Sequence, residues 1–305
     1  MSKRPLHKKL LVPVILAVAT VLVGASSLGG SVALAATKTI PFGLYQASNN
    51  LQYSFPVTPE QAIEYLGWST SGTNGFPTTN ANAVYTASGG KTAPFVELQS
   101  CDSSSGTSTG CASTDPGFAL PDIANGVYDT SLTAFNTAAQ SYGHTVYLTF
   151  DHEMNGSWYP WGTQNYTTAQ WIAAWDHVVS VINATNVKWV WAPNINVSSY
   201  HPLTGYWPGA THVGLCGIDG YLGPQSATWA NTIAPSVASL KSTCGTKKWE
   251  LAETGVDTAD SNAVAQIDDL MSNTISSGAT YAIYFDKYQW IFTTPTQTEF
   301  QKYIH

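Results

Sequence analysis

The chain has 305 residues and a formal net charge of -7, with 12 lysines and arginines against 19 aspartates and glutamates. Its only arginine is Arg4, so the rest of the chain has no guanidinium group for bidentate phosphate recognition. This composition argues against nucleic-acid binding and phosphoryl transfer. The 11 tryptophans and 16 tyrosines suit a protein that meets neutral polyhydroxylated ligands.

Residues 1–35 have the order of features found in a secretory signal peptide. A basic stretch at residues 3–9 precedes an apolar run at residues 10–23, and Ala33 and Ala35 provide small side chains where a signal peptidase reads. An uncleaved membrane anchor is the alternative, but Pro13 interrupts the run, which is short for a span. We predict a secreted, extracellular protein without membrane attachment after cleavage, and one domain over residues 36–305.

From about residue 40 onward, apolar strand-like runs alternate with helical stretches, the pattern of a parallel α/β domain. We predict about eight strands, at residues 42–45, 62–68, 95–98, 146–150, 187–191, 216–221, 249–252 and 281–285. Core-facing helices are predicted at residues 131–141, 168–182 and 263–275. This length and pattern predict a single (β/α)8 TIM barrel.

Four cysteines in an exported chain favour disulfide bonds over metal ligation. Three pairings are possible, and we favour Cys101 with Cys111 and Cys216 with Cys244. The segment at residues 100–121 is rich in glycine, serine and threonine and contains the close cysteine pair. We predict that it is a long rim loop tied by a disulfide.

Two glutamates, Glu153 and Glu253, each follow a strand-like run and precede glycine-containing loop sequence. Because the C-terminal ends of the strands in a barrel form one rim, both carboxylates are expected at the same mouth. Such pairs most often hydrolyse glycosidic bonds, and hydrolysis with retention requires a separation of about 5 to 5.5 Å. These requirements alone do not assign the proton donor and the nucleophile.

Four motifs occur in a recognisable order: HEMNGSWYPWG from His152, WAPN from Trp191, GIDGY from Gly217 and AETG from Ala252. Together they resemble glycoside hydrolase family 26, which is best known for endo-β-1,4-mannanases. The resemblance extends over residues 42–290 and implies a (β/α)8 retaining hydrolase. The predicted catalytic domain is therefore residues 36–305, with its catalytic carboxylates at the C-terminal ends of the strands.

By matching motifs, the resemblance implies that Glu153 is the general acid/base and Glu253 the nucleophile. It also implies that His152 and Trp158 line the substrate cleft and that Tyr221 hydrogen-bonds the nucleophile.

Further aromatic and polar candidates follow. Trp161 and Trp191 are predicted to bind substrate, although capping the rim or packing in the core is the alternative for each. Asn194 and Asp219 match motif positions without an assigned role.

Other acidic residues have plainer interpretations. Glu250 is three residues before Glu253, and strand alternation would turn it to the other face, so we predict that it is not catalytic. Glu97 either lines the cleft or is a hydrogen-bonded structural carboxylate, and Asp151 is expected behind the site. A zinc-protease helix needs a second histidine where Gly156 stands, so we predict neither a metal nor a cofactor.

One departure from the family concerns charge. Members usually carry an arginine shortly before the His-Glu pair, where this chain has Leu148-Thr149-Phe150. The loss of a positive charge should raise the pKa values of the carboxylates.

The expected substrate is a polysaccharide, with β-1,4-mannan, galactomannan or glucomannan favoured. The expected oligomeric state is a monomer. The alternatives are a β-1,3-xylanase or mixed-linkage β-glucanase of the same family, or a non-catalytic polysaccharide-binding barrel.

Overall fold

The computed structural model describes residues 38–46, 55–69, 72–102, 111, 117–196 and 201–305. The predicted signal peptide, residues 1–35, and most of the predicted rim loop lie outside the described residues. Within these described ranges, no helix is long and apolar enough to cross a bilayer.

Eight parallel strands form a closed barrel, which confirms the predicted TIM-barrel fold. The strands are β1 (Phe42–Gln46), β2 (Gln61–Ser69), β4 (Ala93–Asp102), β5 (Val146–Phe150), β6 (Val187–Trp191), β7 (Leu215–Leu222), β8 (Trp249–Val256) and β9 (Ala282–Asp286). The pairing of β1 with both β9 and β2 closes the sheet. A two-residue strand, β3 (Gly72–Thr73), pairs with the end of β2 in the antiparallel direction.

Helices cover the outside of the barrel in the described part of the chain. They are α1 (Thr78–Ala87), α2 (Leu120–Ala124), α3 (Asp129–Tyr142), α4 (Thr168–Val181), α5 (Ala234–Cys244), α6 (Ala263–Ser276) and α7 (Thr294–Phe300). The three predicted helices are α3, α4 and α6. Their ends have clear local signals: Thr167 and Gln170 form a capping box before α4, and Gly143 ends α3 with φ 76°.

The apolar core has two parts separated by the sheet. The larger part lies between the strands and the helices. The smaller part fills the barrel interior and contains Tyr45, Ile63, Phe95, Val190, Ala192, Leu215, Ala252 and Ile283. Interior side chains from many strands make the barrel a packed core rather than a pore.

Both predicted disulfide pairings are confirmed. Cys101 at the end of β4 is bonded to Cys111, and Cys216 in β7 is bonded to Cys244 at the end of α5. The second bond ties a barrel strand to the helix that follows it.

A β-bulge interrupts the pairing of β8 with β7. Ile218 lies opposite Leu251, but the next residue, Asp219, lies opposite Glu253, so Ala252 is an extra residue on β8. The strand continues to Val256, four residues past its predicted end at residue 252. Bulges redirect the side chains that follow them, and this one sits immediately before Glu253.

Candidate active site

A cavity of ≈ 510 Å³ opens at the C-terminal ends of the strands and contains both predicted catalytic glutamates. Its lining residues are Tyr45, Tyr65, Gln99, Glu153, Trp158, Tyr159, Asn194, Tyr221, Glu253, Phe285, Lys287, Tyr288, Gln289 and Trp290.

Glu153 lies in the turn after β5, three residues beyond the strand, and its carboxyl group is buried. Its φ is 51°, a left-handed conformation that a non-glycine residue rarely adopts and that is held here by a hydrogen bond from its N–H to Ala192 O at 2.8 Å. Asn194 Nδ2 donates to Glu153 Oε1, and Trp158 Nε1 donates to Oε2 at 2.5 Å. Two donors from different loops therefore fix the orientation of the carboxyl group.

Glu253 enters the same cavity from β8, opposite two tyrosines. The Tyr65 hydroxyl donates to Oε1 from β2, and the Tyr221 hydroxyl donates to Oε2 from β7 at 2.5 Å. The Tyr221 contact is the one that the family resemblance implied. Tyr65 was not among the predicted site residues, although the inward alternation of Gln61, Ile63 and Tyr65 along β2 is a signal that indicates it.

A third carboxyl group lies beneath the pair. Glu97 on β4 is fully buried, and its Oε2 is 3.0 Å from His152 Nδ1. Oxygens of the Glu97 and Glu253 carboxyl groups lie within 4.8 Å of each other. Glu97 does not line the cavity; it is a buried carboxyl group beside the site whose near neighbour is His152.

Burial raises the pKa of both candidate catalytic groups. For Glu153, burial is the largest cause, the charge of Glu253 adds to it, and His152, Asn194 and Trp158 oppose it. For Glu253, burial is again the largest cause, Glu97 adds to it, and His152 and the two tyrosines oppose it. Raised pKa values are what the lack of a nearby arginine predicted, but the largest cause of both shifts is burial.

His152 and Trp158 have different positions. Trp158 lines the cavity beside Glu153, whereas the His152 ring is buried between Glu97 and the Tyr159 hydroxyl, which is 3.2 Å from Nε2. The predicted cleft contact of His152 is therefore replaced here by a contact with two side chains that flank the cleft.

The other two tryptophans predicted to bind substrate do not line the cavity. Trp161 is buried beneath Tyr159, with the ring centroids 4.6 Å apart, and donates to His152 O at 2.8 Å. Trp191 is fully buried in the outer core, 5.0 Å from the ring of Trp207. The substrate-binding prediction for both residues is corrected, because their rings pack against protein rather than facing the open mouth.

The prediction about the orientation of Glu250 is also corrected. Glu250 is fully buried and accepts a hydrogen bond from Gln61 Nε2 at 3.1 Å. Gln61 is on β2, which does not neighbour β8, so this bond crosses the barrel interior, the side that Glu253 also faces. Glu250 lies deeper in the barrel and is not part of the cavity wall.

Asp151 and Asp219 are buried beside the site. Asp151 accepts hydrogen bonds from the N–H and hydroxyl of Ser100 at 2.7 and 2.6 Å, behind the cavity as predicted. Burial, followed by the charge of Glu253, raises the pKa of Asp219.

The loop after β9 forms one side of the cavity mouth. None of its residues was predicted from the sequence to belong to the site. Lys287 Nζ lies 5.7 Å from the ring centroid of Tyr45 and 4.7 Å from that of Tyr288. Tyr288 is exposed and has φ 56°, a left-handed conformation like that of Glu153 and one that a non-glycine residue rarely adopts. The aromatic run Tyr288-Gln289-Trp290 after a predicted strand is the sequence signal that indicates a rim loop.

Glu97, His152 and Glu253 bring possible ligand atoms within 4.8 Å of one another. Glu97 Oε2 already lies 3.0 Å from His152 Nδ1, and both oxygens of Glu253 accept hydrogen bonds from tyrosines. We therefore assign these three residues to the acidic active site and not to a metal centre.

Comparisons with known proteins agree with this geometry. The sequence model of glycosyl hydrolase family 26 matches residues 125–290. Endoglucanase H of Acetivibrio thermocellus is 36% identical over 118 residues, which are 36% of this chain and 13% of that protein. Mannan endo-1,4-beta-mannosidase A and B of Caldalkalibacillus mannanilyticus is 33% identical over 92 residues, 27% of this chain and 17% of that protein. The matches thus span a small part of these longer relatives.

Solved structures share the fold at lower identity. A mannanase from Bacillus subtilis aligns over 88% of this chain and 86% of that chain, with a TM-score of 0.62 and 14% identity. A family 26 β-mannanase from Bacteroides ovatus aligns over 87% and 88%, also with a TM-score of 0.62 and 14% identity. Because the family model covers more than half of the 305 residues, the chain belongs to glycosyl hydrolase family 26.

Proposed function

We propose that the chain is a secreted, retaining endo-β-1,4-mannanase in which Glu253 is the nucleophile and Glu153 the general acid/base. The observation that carries this proposal is that two buried carboxyl groups enter one open cavity, each held by two hydrogen-bond donors. Glu253 receives both of its hydrogen bonds from tyrosine hydroxyls, and such bonds favour the ionised form that a nucleophile needs.

In the first half-reaction, a carboxylate oxygen of Glu253 attacks the anomeric carbon while the bond to the bridging oxygen breaks. Glu153 gives its proton to that oxygen, so the leaving sugar departs as a neutral alcohol. The charge of Glu253 helps keep Glu153 protonated before this step.

The second half-reaction reverses the proton transfer. Once Glu253 is an ester, its negative charge is gone and the pKa of Glu153 falls, so Glu153 can take a proton from water. The resulting hydroxide attacks the anomeric carbon, and the ester bond to Glu253 breaks with net retention of configuration.

An endo-acting enzyme fits an open cavity with aromatic walls. Tyr45, Trp158, Tyr288 and Trp290 line the mouth and offer ring faces to successive sugars. Contacts with outer sugars can be used to distort the ring at the cleaved bond, so short oligosaccharides should lose turnover as well as affinity.

Mannan, galactomannan or glucomannan is the proposed substrate because a mannosidase is among the sequence relatives and several fold relatives are mannanases. A β-glucanase specificity is the second candidate, because the 36% identical segment belongs to an endoglucanase. A β-1,3-xylanase is a further possibility within the family.

The purified protein should be assayed by reducing-end release on mannan, glucomannan, β-1,3-xylan, lichenan and carboxymethyl cellulose. We expect the highest kcat/KM on a mannan. Release from a glucan or xylan alone would overturn the substrate assignment.

Catalysis itself is tested with Glu253→Gln, matched by Glu250→Gln on the same strand. The first variant should lose about 10³-fold or more in kcat while still binding polymer, and the second should retain activity. A non-catalytic binding barrel would show no hydrolysis in the unaltered protein and unchanged binding in both variants.

We also propose that residues 1–35 are removed on export, leaving a monomeric domain that begins at residue 36. The support is the basic and apolar N-terminal pattern followed by small residues. The mass of the protein recovered from the medium of a secreting bacterial host, together with its light-scattering molar mass, tests both points. A cell-bound protein of full mass would contradict the export proposal.

A further inference from the structure

The hydrogen-bond donors nearest the two catalytic glutamates are already engaged. Trp158 and Asn194 donate to Glu153, and two tyrosine hydroxyls donate to Glu253. These bonds orient the carboxyl groups, but a sugar that enters the cavity also brings hydroxyl groups that lose their water. A buried hydroxyl group needs a hydrogen-bond partner. The cavity should therefore contain a further polar group that the empty protein leaves free.

Gln99 supplies such a group. It lines the cavity from β4 and is 1% exposed, a depth comparable with that of Glu153 at 7% and Glu253 at 4%. Among the described residues that line the cavity, Gln99 has the only buried side-chain nitrogen or oxygen without a hydrogen-bond partner, its Nε2. A buried donor without a partner costs free energy in the empty protein, and a ligand that accepts from it removes that cost.

The neighbours of Gln99 explain why its amide nitrogen is free. Its register partner on β2 is Gly67, which has no side chain. On the side of β5, the carboxyl group of Asp151 accepts hydrogen bonds from Ser100 instead. The amide oxygen of Gln99 lies 3.6 Å from Sγ of the disulfide-bonded Cys111. The end of the amide that carries the N–H groups is therefore the one available to a ligand.

We propose that Gln99 binds substrate and that its amide N–H donates a hydrogen bond to a hydroxyl group of the sugar at the catalytic pair. An uncharged donor of this kind suits a neutral polyhydroxylated ligand. This inference rests on the proposed function and extends it by naming a residue that recognises the sugar rather than a catalytic glutamate. A site with such a donor rejects an analogue that lacks the hydroxyl group, because the donor is then left unpaired.

Gln99→Met tests the donor, because methionine is also a long unbranched side chain but has no N–H group. On the polysaccharide that the enzyme hydrolyses best, kcat/KM should fall about 10-fold or more, since a sugar hydroxyl is left unpaired. The urea midpoint of unfolding should stay the same or rise, because the variant no longer buries an unpaired donor. Gln99→Ala should show a similar fall in kcat/KM.

Gln266→Met is the matched control, because Gln266 is also buried but its Nε2 has partners. It donates to Pro224 O at 3.1 Å and to Ala227 O at 3.0 Å, and none of these three residues lines the cavity. This variant should show the opposite effects: its urea midpoint should fall, and the folded protein should keep wild-type kcat/KM. The same substitution thus distinguishes a glutamine that binds ligand from one that stabilises the fold.

Binding is measured separately from turnover in the Glu253→Gln background. Isothermal titration calorimetry with mannohexaose and with cellohexaose compares Glu253→Gln with the double variant that also carries Gln99→Met. The oligosaccharide that binds more tightly should lose about 10-fold in affinity in the double variant. Gln266→Met in the same background should leave the affinity unchanged.

The outcomes separate this inference from the proposed function. Wild-type kcat/KM in Gln99→Met, unchanged affinity in the double variant, or a lowered urea midpoint in Gln99→Met would overturn the inference and leave the proposed function standing. A protein that hydrolyses no polysaccharide, but whose affinity for an oligosaccharide depends on Gln99, would support the inference and contradict the proposed function. Binding of neither oligosaccharide by Glu253→Gln would contradict both.

Discussion

Glu250 and Glu253 lie three residues apart on β8, yet both point into the barrel interior. Both accept hydrogen bonds from β2: Gln61 donates to Glu250 deep in the barrel, and Tyr65 donates to Glu253 at its mouth. An unbroken strand would place residues three apart on opposite faces. The extra residue at Ala252 reverses the alternation and places a second carboxyl group on the inner face, where the cavity opens.

Glu250 should make stability depend on pH. Burial raises its pKa to about 8, against the hydrogen bond from Gln61. Its protonated form therefore favours the folded state, and stability should fall as the pH rises from the unfolded value near 4.3 toward the folded value.

Glu250→Gln removes this dependence. We expect the variant to gain unfolding free energy relative to wild type between pH 5 and pH 8, by about 1.4 kcal/mol for each unit of pKa difference. Urea unfolding at both pH values measures it, with Glu60→Gln, a partly buried residue, as control. An equal effect of Glu250→Gln at pH 5 and pH 8 would contradict the prediction.

Removal of the proton donor should separate the two half-reactions. Glu153→Ala is expected to lose about 10²- to 10⁴-fold on polysaccharide, where the leaving oxygen needs a proton. With a dinitrophenyl glycoside, glycosylation should be nearly unaffected, and added azide should restore turnover because it attacks the ester without a general base. Product analysis should find the β-glycosyl azide. Failure of azide to restore turnover, or an α-configured product, argues against this role for Glu153.

The two tyrosines that bind Glu253 should each contribute to catalysis. A hydrogen bond to a charged group contributes about 1.5–3 kcal/mol, so Tyr221→Phe and Tyr65→Phe should each lower kcat/KM by about 10- to 100-fold. Because both donors act on one carboxylate, the double variant should be non-additive. Tyr85→Phe, far from the cavity, is a control for the loss of a hydroxyl group. Wild-type kcat/KM in both single variants would rule out this role.

Asn194 should set the alkaline limb of polysaccharide hydrolysis. Its donation to Glu153 favours the ionised form and lowers the pKa of that carboxyl group. In Asn194→Ala the pKa of Glu153 should rise, so the proton is retained to higher pH and the alkaline limb of kcat/KM moves upward. A downward movement would contradict the assignment. Trp158→Phe removes the other donor and should move the limb in the same direction while also raising KM.

The Cys216–Cys244 bond should be a major source of stability. It closes a loop of 28 residues in the unfolded chain, whereas Cys101–Cys111 closes one of 10. Loop entropy predicts that replacing Cys216 and Cys244 by alanine lowers the unfolding free energy by about 3–4 kcal/mol. Replacing Cys101 and Cys111 should lower it by about 1 kcal/mol less. Guanidinium unfolding of the two double variants measures the difference. Equal losses would indicate that strain or residual structure outweighs loop length.

The strands and the three longest helices were predictable because their signals are local. Continuous apolar runs predict strands buried on both faces, and α3, α4 and α6 carry buried residues at helical spacing. The helix α1 has one fully buried residue, Ala81, and α5 is rich in serine and threonine, so neither presents a strong apolar stripe. Packing against the barrel, not intrinsic propensity, stabilises these two helices.

The motifs around Glu153 and Glu253 identify the family and the two carboxyl groups, since each motif is contiguous in the chain. The surroundings that tune those groups come from elsewhere: Tyr65 lies 188 residues from Glu253, and Asn194 lies 41 residues from Glu153. Closure of the barrel and the bulge at Ala252 set these distances and orientations. A linear pattern records which residue types are present, but desolvation, hydrogen bonding and mutual repulsion depend on separations of a few ångströms that exist only after folding.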